Sequence, residues 1–126
     1  MKTMTDILHE PVELPCGATL PNRIAKAGMS EQLASRDGAV TDELVRLYAT
    51  WARSGAGLLI TGNVVVDRGG LVEPRNVIVE TDRALPGLRR WADAVHQTGM
   101  PVWMQVNHPG RVASNVRVRY APPARN

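Results

Sequence analysis

The run Pro101-Val102-Trp103-Met104-Gln105-Val106, closed by Asn107-His108-Pro109-Gly110-Arg111, restricts the fold more than any other stretch of this 126-residue sequence. An apolar run of this length, bounded by Gly99 and Pro109 and interrupted by one amide, suits a strand buried on both faces, as in parallel sheets. Gln105 falls near the carboxyl end of that strand. There α/β proteins place ligand groups, because the strand fixes the backbone while the loop beyond frees the side chains. An amide carries two donors and an acceptor. It can read a ring edge bearing both kinds of group, or it can be a buried Gln satisfied by neighbouring backbone. The stretch alone leaves both readings open.

What precedes it is an alternation of strands and helices. Pro11-Val12-Glu13-Leu14 and Ala18-Thr19-Leu20, joined by Pro15-Cys16-Gly17, predict a β-hairpin within residues 7–23. A first core strand is expected over 24–29, ending in the small residues Ala27 and Gly28 before the Ser30 hydroxyl. A helix over 42–54 follows, with Thr41 as N-cap and Asp42 and Glu43 at the positive end of its dipole. Leu44, Tyr48, Trp51 and Ala52 share its buried face, Gly55 stops it, and Asp42 and Arg46 stand at pairing distance along it. A second strand over 58–61 ends in Gly62-Asn63, with Val64-Val65-Val66 continuing extended, and residues 71–81 show no clean period. A helix over 84–98 carries Leu88, Trp91, Ala92 and Val95 on one face, with Pro86 in its first turn and His96 in its last. The third strand is 102–106.

Alternation of this kind means a parallel sheet with right-handed crossovers. No glycine-rich phosphate loop follows the first strand, which weakens both common open sheets. The architecture left is α/β of the barrel type: part of a TIM (β/α)8 barrel, an amino-terminal β-hairpin plus the first three parallel strands and two helices. A complete barrel needs about 250 residues for eight units, so the three units read here make three-eighths of one.

Composition bounds the function. The chain is 44% hydrophobic and 21% charged, hence globular, and its net charge of +3 is too small to imply a nucleic-acid partner. Arg111, Arg117, Arg119 and Arg125 with Tyr120 are read as a solvated tail. The single Cys16 excludes an internal disulfide and fits a reducing compartment, and no segment has the length and apolarity to span a membrane. A cytoplasmic protein with no membrane partner and no metal site is expected.

Six pieces, in order, resemble the Old Yellow Enzyme family of FMN-dependent NADH:flavin oxidoreductases and ene-reductases. They are Leu20-Pro21-Asn22-Arg23-Ile24, Ala27-Gly28-Met29-Ser30, Gly55-Ala56-Gly57-Leu58-Leu59-Ile60-Thr61, Leu85-Pro86-Gly87, Trp91-Ala92-Asp93-Ala94-Val95-His96 and Gln105-Val106-Asn107-His108-Pro109-Gly110-Arg111. The resemblance covers the amino-terminal third of that family's barrel, and so implies that 1–126 is the amino-terminal segment of a single, incomplete FMN-binding barrel domain. It implies FMN as cofactor, NAD(P)H as reductant and a small-molecule acceptor such as an activated alkene. It implies cofactor contacts from Ala27, Gly28, Met29, Ser30, Asn63 and Gln105, with the Ser30 hydroxyl near the flavin O4/N5 edge and Gln105 on the pyrimidine edge. His108 and Arg111 would order the loop. Gly28 stands where the family commonly has Pro, Gly62 where it has an acid, and Gln32 where one branch has a substrate-facing Tyr. The resemblance places the substrate-binding pair of His or His/Asn residues, the Tyr proton donor and the phosphate loops in later units, so it names no catalytic or substrate-binding residue here. Two functional readings follow: the front portion of such an enzyme, inactive alone and completed by the rest of the barrel, on another chain or in further sequence, or a non-catalytic fragment or interaction module of the same ancestry.

Overall fold

The computed structural model describes residues 3–112. A short helix, α1 (Met4–Leu8), opens the chain; it was not expected, and Thr3 and Asp6 close a capping box around its first turn. The expected hairpin follows, with β1 (Val12–Glu13) antiparallel to β2 (Thr19–Leu20) and Gly17 at φ +85° in the turn. Then come β3 (Ala25–Lys26), α2 (Asp42–Trp51), β4 (Leu58–Val65), β5 (Val77–Ile78), α3 (Leu85–His96) and β6 (Val102–Asn107).

All pairings among β3, β4, β5 and β6 are parallel, as the alternation requires. β6 runs along one edge of β4 from Leu59 to Val65. β3 pairs at Leu58 and Leu59, and β5 at Val64 and Val65, so these two short strands share the opposite edge in succession. This corrects three expectations. The strand of 24–29 shrinks to Ala25–Lys26, because beyond it β5 holds the edge of β4. The strand of 58–61 runs on to Val65, since Gly62 and Asn63 are absorbed as an irregularity rather than ending it. The aperiodic stretch 71–81 contains β5, too short for any period to show.

That irregularity sets the packing. Between Ile60↔Trp103 and Asn63↔Gln105, β4 advances three residues while β6 advances two. Strict alternation would put Leu59 and Val64 on opposite faces. The extra residue lets both enter one core with Leu44, Tyr48 and Ala52 of α2 and Trp91 and Val95 of α3. Val65 turns to a second cluster with Leu71 and Ile78. Thr41 caps α2 by accepting the Leu44 N–H at 3.2 Å. Asp42, however, pairs with Arg90 of α3 at 3.0 Å rather than with Arg46, because the two helices pack side by side.

Hydrogen bonds at Gly62 tie both the loop after β3 and α2 to β4. The Gly62 N–H donates to Glu31 Oε1 at 3.0 Å and to Tyr48 Oη at 3.1 Å, while the Tyr48 hydroxyl donates to the same carboxylate. A Cβ built on Gly62 would run into the Met29 carbonyl and the Glu31 carboxylate, so glycine is what admits the loop. Burial, then the Glu31 bond, raises the Tyr48 phenol well above its ordinary pKa, so it stays a donor. Lys26 anchors the loop's other end, donating to the Ala27 and Ile60 carbonyls at 2.9 and 3.0 Å with Nζ 4.5 Å from the Trp51 ring centre. Burial lowers the Lys26 pKa, an effect that Glu31 opposes.

One expectation fails on β6. Trp103, Met104 and Val106 are exposed by 49%, 43% and 63%, so the strand is not buried on both faces. Helices cover one face of the sheet, and among the described residues β6 pairs with β4 alone.

Two stability predictions follow. Leu59→Ala, at a fully buried position, should cost about 2–5 kcal/mol in urea unfolding, while Val106→Thr should stay within about 0.5 kcal/mol. Equal costs would mean that β6's outer face is covered. Glu31→Ala should cost about 1.5–3 kcal/mol and Tyr48→Phe about 0.5–1.5 kcal/mol, since only the first removes a charged acceptor; the reverse order in the same melts would contradict the clamp.

Candidate functional site

Parallel strands bring their carboxyl ends together, and there the structure gathers polar side chains from far apart in the sequence. Gln105 of β6 donates from Nε2 to Asn63 Oδ1 of β4 at 2.8 Å. Asn63 donates from Nδ2 to Ser30 Oγ at 3.3 Å. Ser30 sits here because the Glu31 clamp, one residue on, holds its loop against Gly62. The backbone N–H of Gln105 donates to Thr61 Oγ1 at 2.9 Å, so a buried threonine hydroxyl bonds to the neighbouring strand where β4 is irregular.

Ala27, Gly28 and Met29 form the backbone approach to this cluster. Gly28 lies directly against the Gln105 carboxamide: a Cβ built there would overlap Gln105 Oε1 and come within 3.0 Å of the Thr61 carbonyl oxygen. The amide occupies the room that a side chain at 28 would take, so a residue with a Cβ there would have to push the flexible Gln105 carboxamide aside. Ala27 and Met29 are exposed, Met29 by 53%. Ser30, Asn63 and Gln105 are each half-buried.

One member of the cluster escaped the sequence reading. Asn76, only 2% exposed, donates from Nδ2 to Ser30 Oγ at 3.3 Å, and its Oδ1 accepts the Glu73 N–H at 3.1 Å. It precedes β5 within the stretch 71–81, where no periodicity flags it; a lone Asn after Pro74-Arg75 reads as turn chemistry.

The remaining candidates lie apart. His108 Nδ1 accepts the Gly110 N–H at 3.0 Å and its Nε2 is 3.8 Å from Asp67, an arrangement that orders the loop after β6. Arg111 is exposed in a short turn over 110–112. Gln32 is exposed at φ +55°, and Cys16 is an exposed free thiol. Arg117, Arg119, Tyr120 and Arg125 lie outside the described residues. No helix among the described residues is long and apolar enough to cross a membrane. Chemically, the cluster offers one hydroxyl and a line of amides, donors and acceptors without a fixed charge. It suits the edge of a flat polar ring better than a phosphate or a metal ion.

Residues 7–123 match the NADH:flavin oxidoreductase / NADH oxidase family. Over 106 residues the chain is 42% identical to an NADH-dependent flavin oxidoreductase of Hypocrea jecorina, covering 80% of this chain and 26% of that protein. It is also 42% identical, over 129 aligned residues, to the 4,4'-dithiodibutanoate disulfide reductase of Rhodococcus erythropolis, covering 95% of this chain and 31% of the other. Among solved structures, the old yellow enzyme homologue of Zymomonas mobilis superposes with a TM-score of 0.72 at 28% identity, covering 80% of this chain and 28% of that one. The old yellow enzyme of Trypanosoma cruzi gives 0.72 at 29%, covering 85% and 28%. The chain thus spans roughly a quarter to a third of the length of these relatives. Their barrels account for the parallel strands seen here, and FMN, with NAD(P)H as reductant, serves the family they represent. On the match over 7–123 and on this fold, the chain belongs to the NADH:flavin oxidoreductase family, as part of its TIM barrel.

Proposed function

We propose that these residues form the front wall of an FMN site in a barrel oxidoreductase that passes reducing equivalents from NAD(P)H to a small acceptor, and that the 126 residues do not turn over by themselves. The observation that carries this reading is the line Ser30–Asn63–Gln105 over Gly28 at the carboxyl ends of parallel strands. Its donor set fits the group. The pyrimidine edge of a flavin alternates carbonyl acceptors with an N–H, and a carboxamide facing a glycine can meet both while the ring approaches the backbone. FMN, when bound, supplies a ring that accepts a hydride and passes it on to an activated alkene or similar acceptor.

The chain's own part in that chemistry is binding and polarisation. Gln105, held through Asn63, orients the ring edge. Ser30 offers a hydroxyl donor, which stabilises negative charge where it builds up on reduction. Ala27, Gly28 and Met29 present backbone with little side-chain bulk at 27 and 28. The site is uncharged among these residues, so the phosphate end must be held by other parts of the barrel, where charge-assisted bonds contribute much of flavin retention.

Exposure on both faces of β6 supports the second half of the proposal. Trp103, Met104 and Val106 stand exposed where a barrel would continue, and Ile24 beside β3 is 40% exposed.

Residues 1–126 purified alone should lose FMN on gel filtration and show no acceptor-dependent NAD(P)H oxidation. Joined to the complementary strands of a relative's barrel, they should purify with the flavin absorbance band and oxidise NAD(P)H when an activated alkene is added; a colourless, well-folded reconstituted barrel would count against the flavin reading, and tight binding by the isolated chain against its incompleteness. In the same reconstituted barrel, Gly28→Ala should displace Gln105 and weaken FMN binding by about fivefold, the worth of one lost hydrogen bond. Unchanged affinity in a fluorescence titration would remove Gln105 from the site.

A further inference from the structure

Ser30 can serve a ligand either as donor or as acceptor, and the surrounding geometry decides which. A hydroxyl has one proton and two lone pairs, and its proton turns to whichever acceptor is offered. Asn76 restricts that choice. The Glu73 backbone N–H can only donate, so the Asn76 atom facing it at 3.1 Å must be Oδ1. The other side of the amide, Nδ2, is thereby turned to Ser30 Oγ at 3.3 Å. At 2% exposed, Asn76 is walled off from water that could compete. Asn63 Nδ2 approaches the same oxygen at 3.3 Å, and Asn63 Oδ1 is engaged by Gln105 Nε2. Two N–H groups then occupy the lone pairs of Ser30, and its proton is left to point outward.

We propose that Asn76 is a positioning residue that makes Ser30 a dedicated hydrogen-bond donor toward an acceptor atom of a planar heteroaromatic ligand lying over Gly28 and Gln105. The inference rests on the flavin reading for the identity of that ligand. The bond between Asn76 and Ser30 itself does not depend on it. Asn76 never touches the ligand; it acts through Ser30, by filling a lone pair that would otherwise accept from the ligand or from water.

Asn76→Asp isolates this effect. The carboxylate still accepts the Glu73 N–H, so the turn before β5 keeps its anchor, but it has no proton for Ser30 and accepts the Ser30 hydroxyl instead. The donor is withdrawn from the site with almost no change in shape. The test is side-chain amide NMR of the full chain, followed by titration with FMN of the barrel reconstituted with a relative's complementary strands. In the absence of flavin, Ser30→Ala should shift the Asn76 side-chain amide and speed its solvent exchange. An Asn76 amide that ignores Ser30→Ala, or a wild-type spectrum with no protected Asn76 amide at all, overturns the inference. With FMN added to millimolar levels, Asn76→Asp should weaken the binding-induced shifts about fivefold, and should weaken them no further once Ser30 is already Ala. A loss that persists in the Ser30→Ala background would mean that the new charge acts directly, and overturns it as well. An Asn76 amide coupled to Ser30 in a reconstituted barrel that never responds to FMN upholds the arrangement and counts instead against the flavin reading.

Discussion

β4 is hydrogen-bonded in parallel on both edges, and the extra residue it carries between Ile60 and Asn63 governs what each later side chain faces. A one-residue offset in a strand exchanges its two faces. Here it allows Leu59 and Val64 to reach the same helix-covered core, while Asn63 turns toward Ser30 and Gln105. The cost of such an irregularity is a broken ladder, and the structure meets it locally. Thr61 Oγ1 accepts the Gln105 N–H, while Glu31 and Tyr48 accept the Gly62 N–H. The groups that repair the ladder are thus the ones that hold the polar cluster in place.

Two departures from the family's common pattern make sense as exchanges of space. Where an acid is common, Gly62 leaves room that the Glu31 carboxylate fills from the neighbouring loop. Where proline is common, Gly28 leaves room into which the Gln105 carboxamide leans. In each case a missing side chain on one segment is matched by a polar group from another, and buried polar groups need such partners because an unmade bond costs more than a made one contributes. Substitutions at 28 or 62 should therefore be judged together with 105 and 31.

The described residues divide into a settled side and an open one. Between the sheet and α2 and α3 the core is closed, with Tyr48, Trp51 and Trp91 packed edge to face at about 5 Å, by ring centroids of 5.0 and 4.9 Å. The other side carries the amide cluster beside exposed Trp103, while Met104 and Val106 stand exposed on the helix-facing side of β6, beyond the reach of α2 and α3. Large apolar side chains beside a polar binding edge mark a surface that gains by being covered, the geometry a barrel wall has before its remaining strands close around it.

The helices were legible in the sequence because their signals are local. Thr41 caps, Pro86 starts and a stripe such as Leu44, Tyr48 and Ala52 repeats with the helix period, so neighbouring residues suffice to place them. The parallel order of the strands was legible for the same reason, through the helices between them. The grouping of Ser30, Asn63 and Gln105 followed from strand polarity once those strands were placed. What the sequence could not show is which residue of β4 is the extra one, that β5 takes over the edge from β3, and that Asn76 stands behind Ser30. Each depends on contacts between segments tens of residues apart, and two-residue strands carry too few positions for any period. The local pattern determined where chain segments become helix or strand and which way they run; the register between strands, and with it the hydrogen-bond direction of each site group, was decided only when distant backbone groups had to satisfy one another in the closed core.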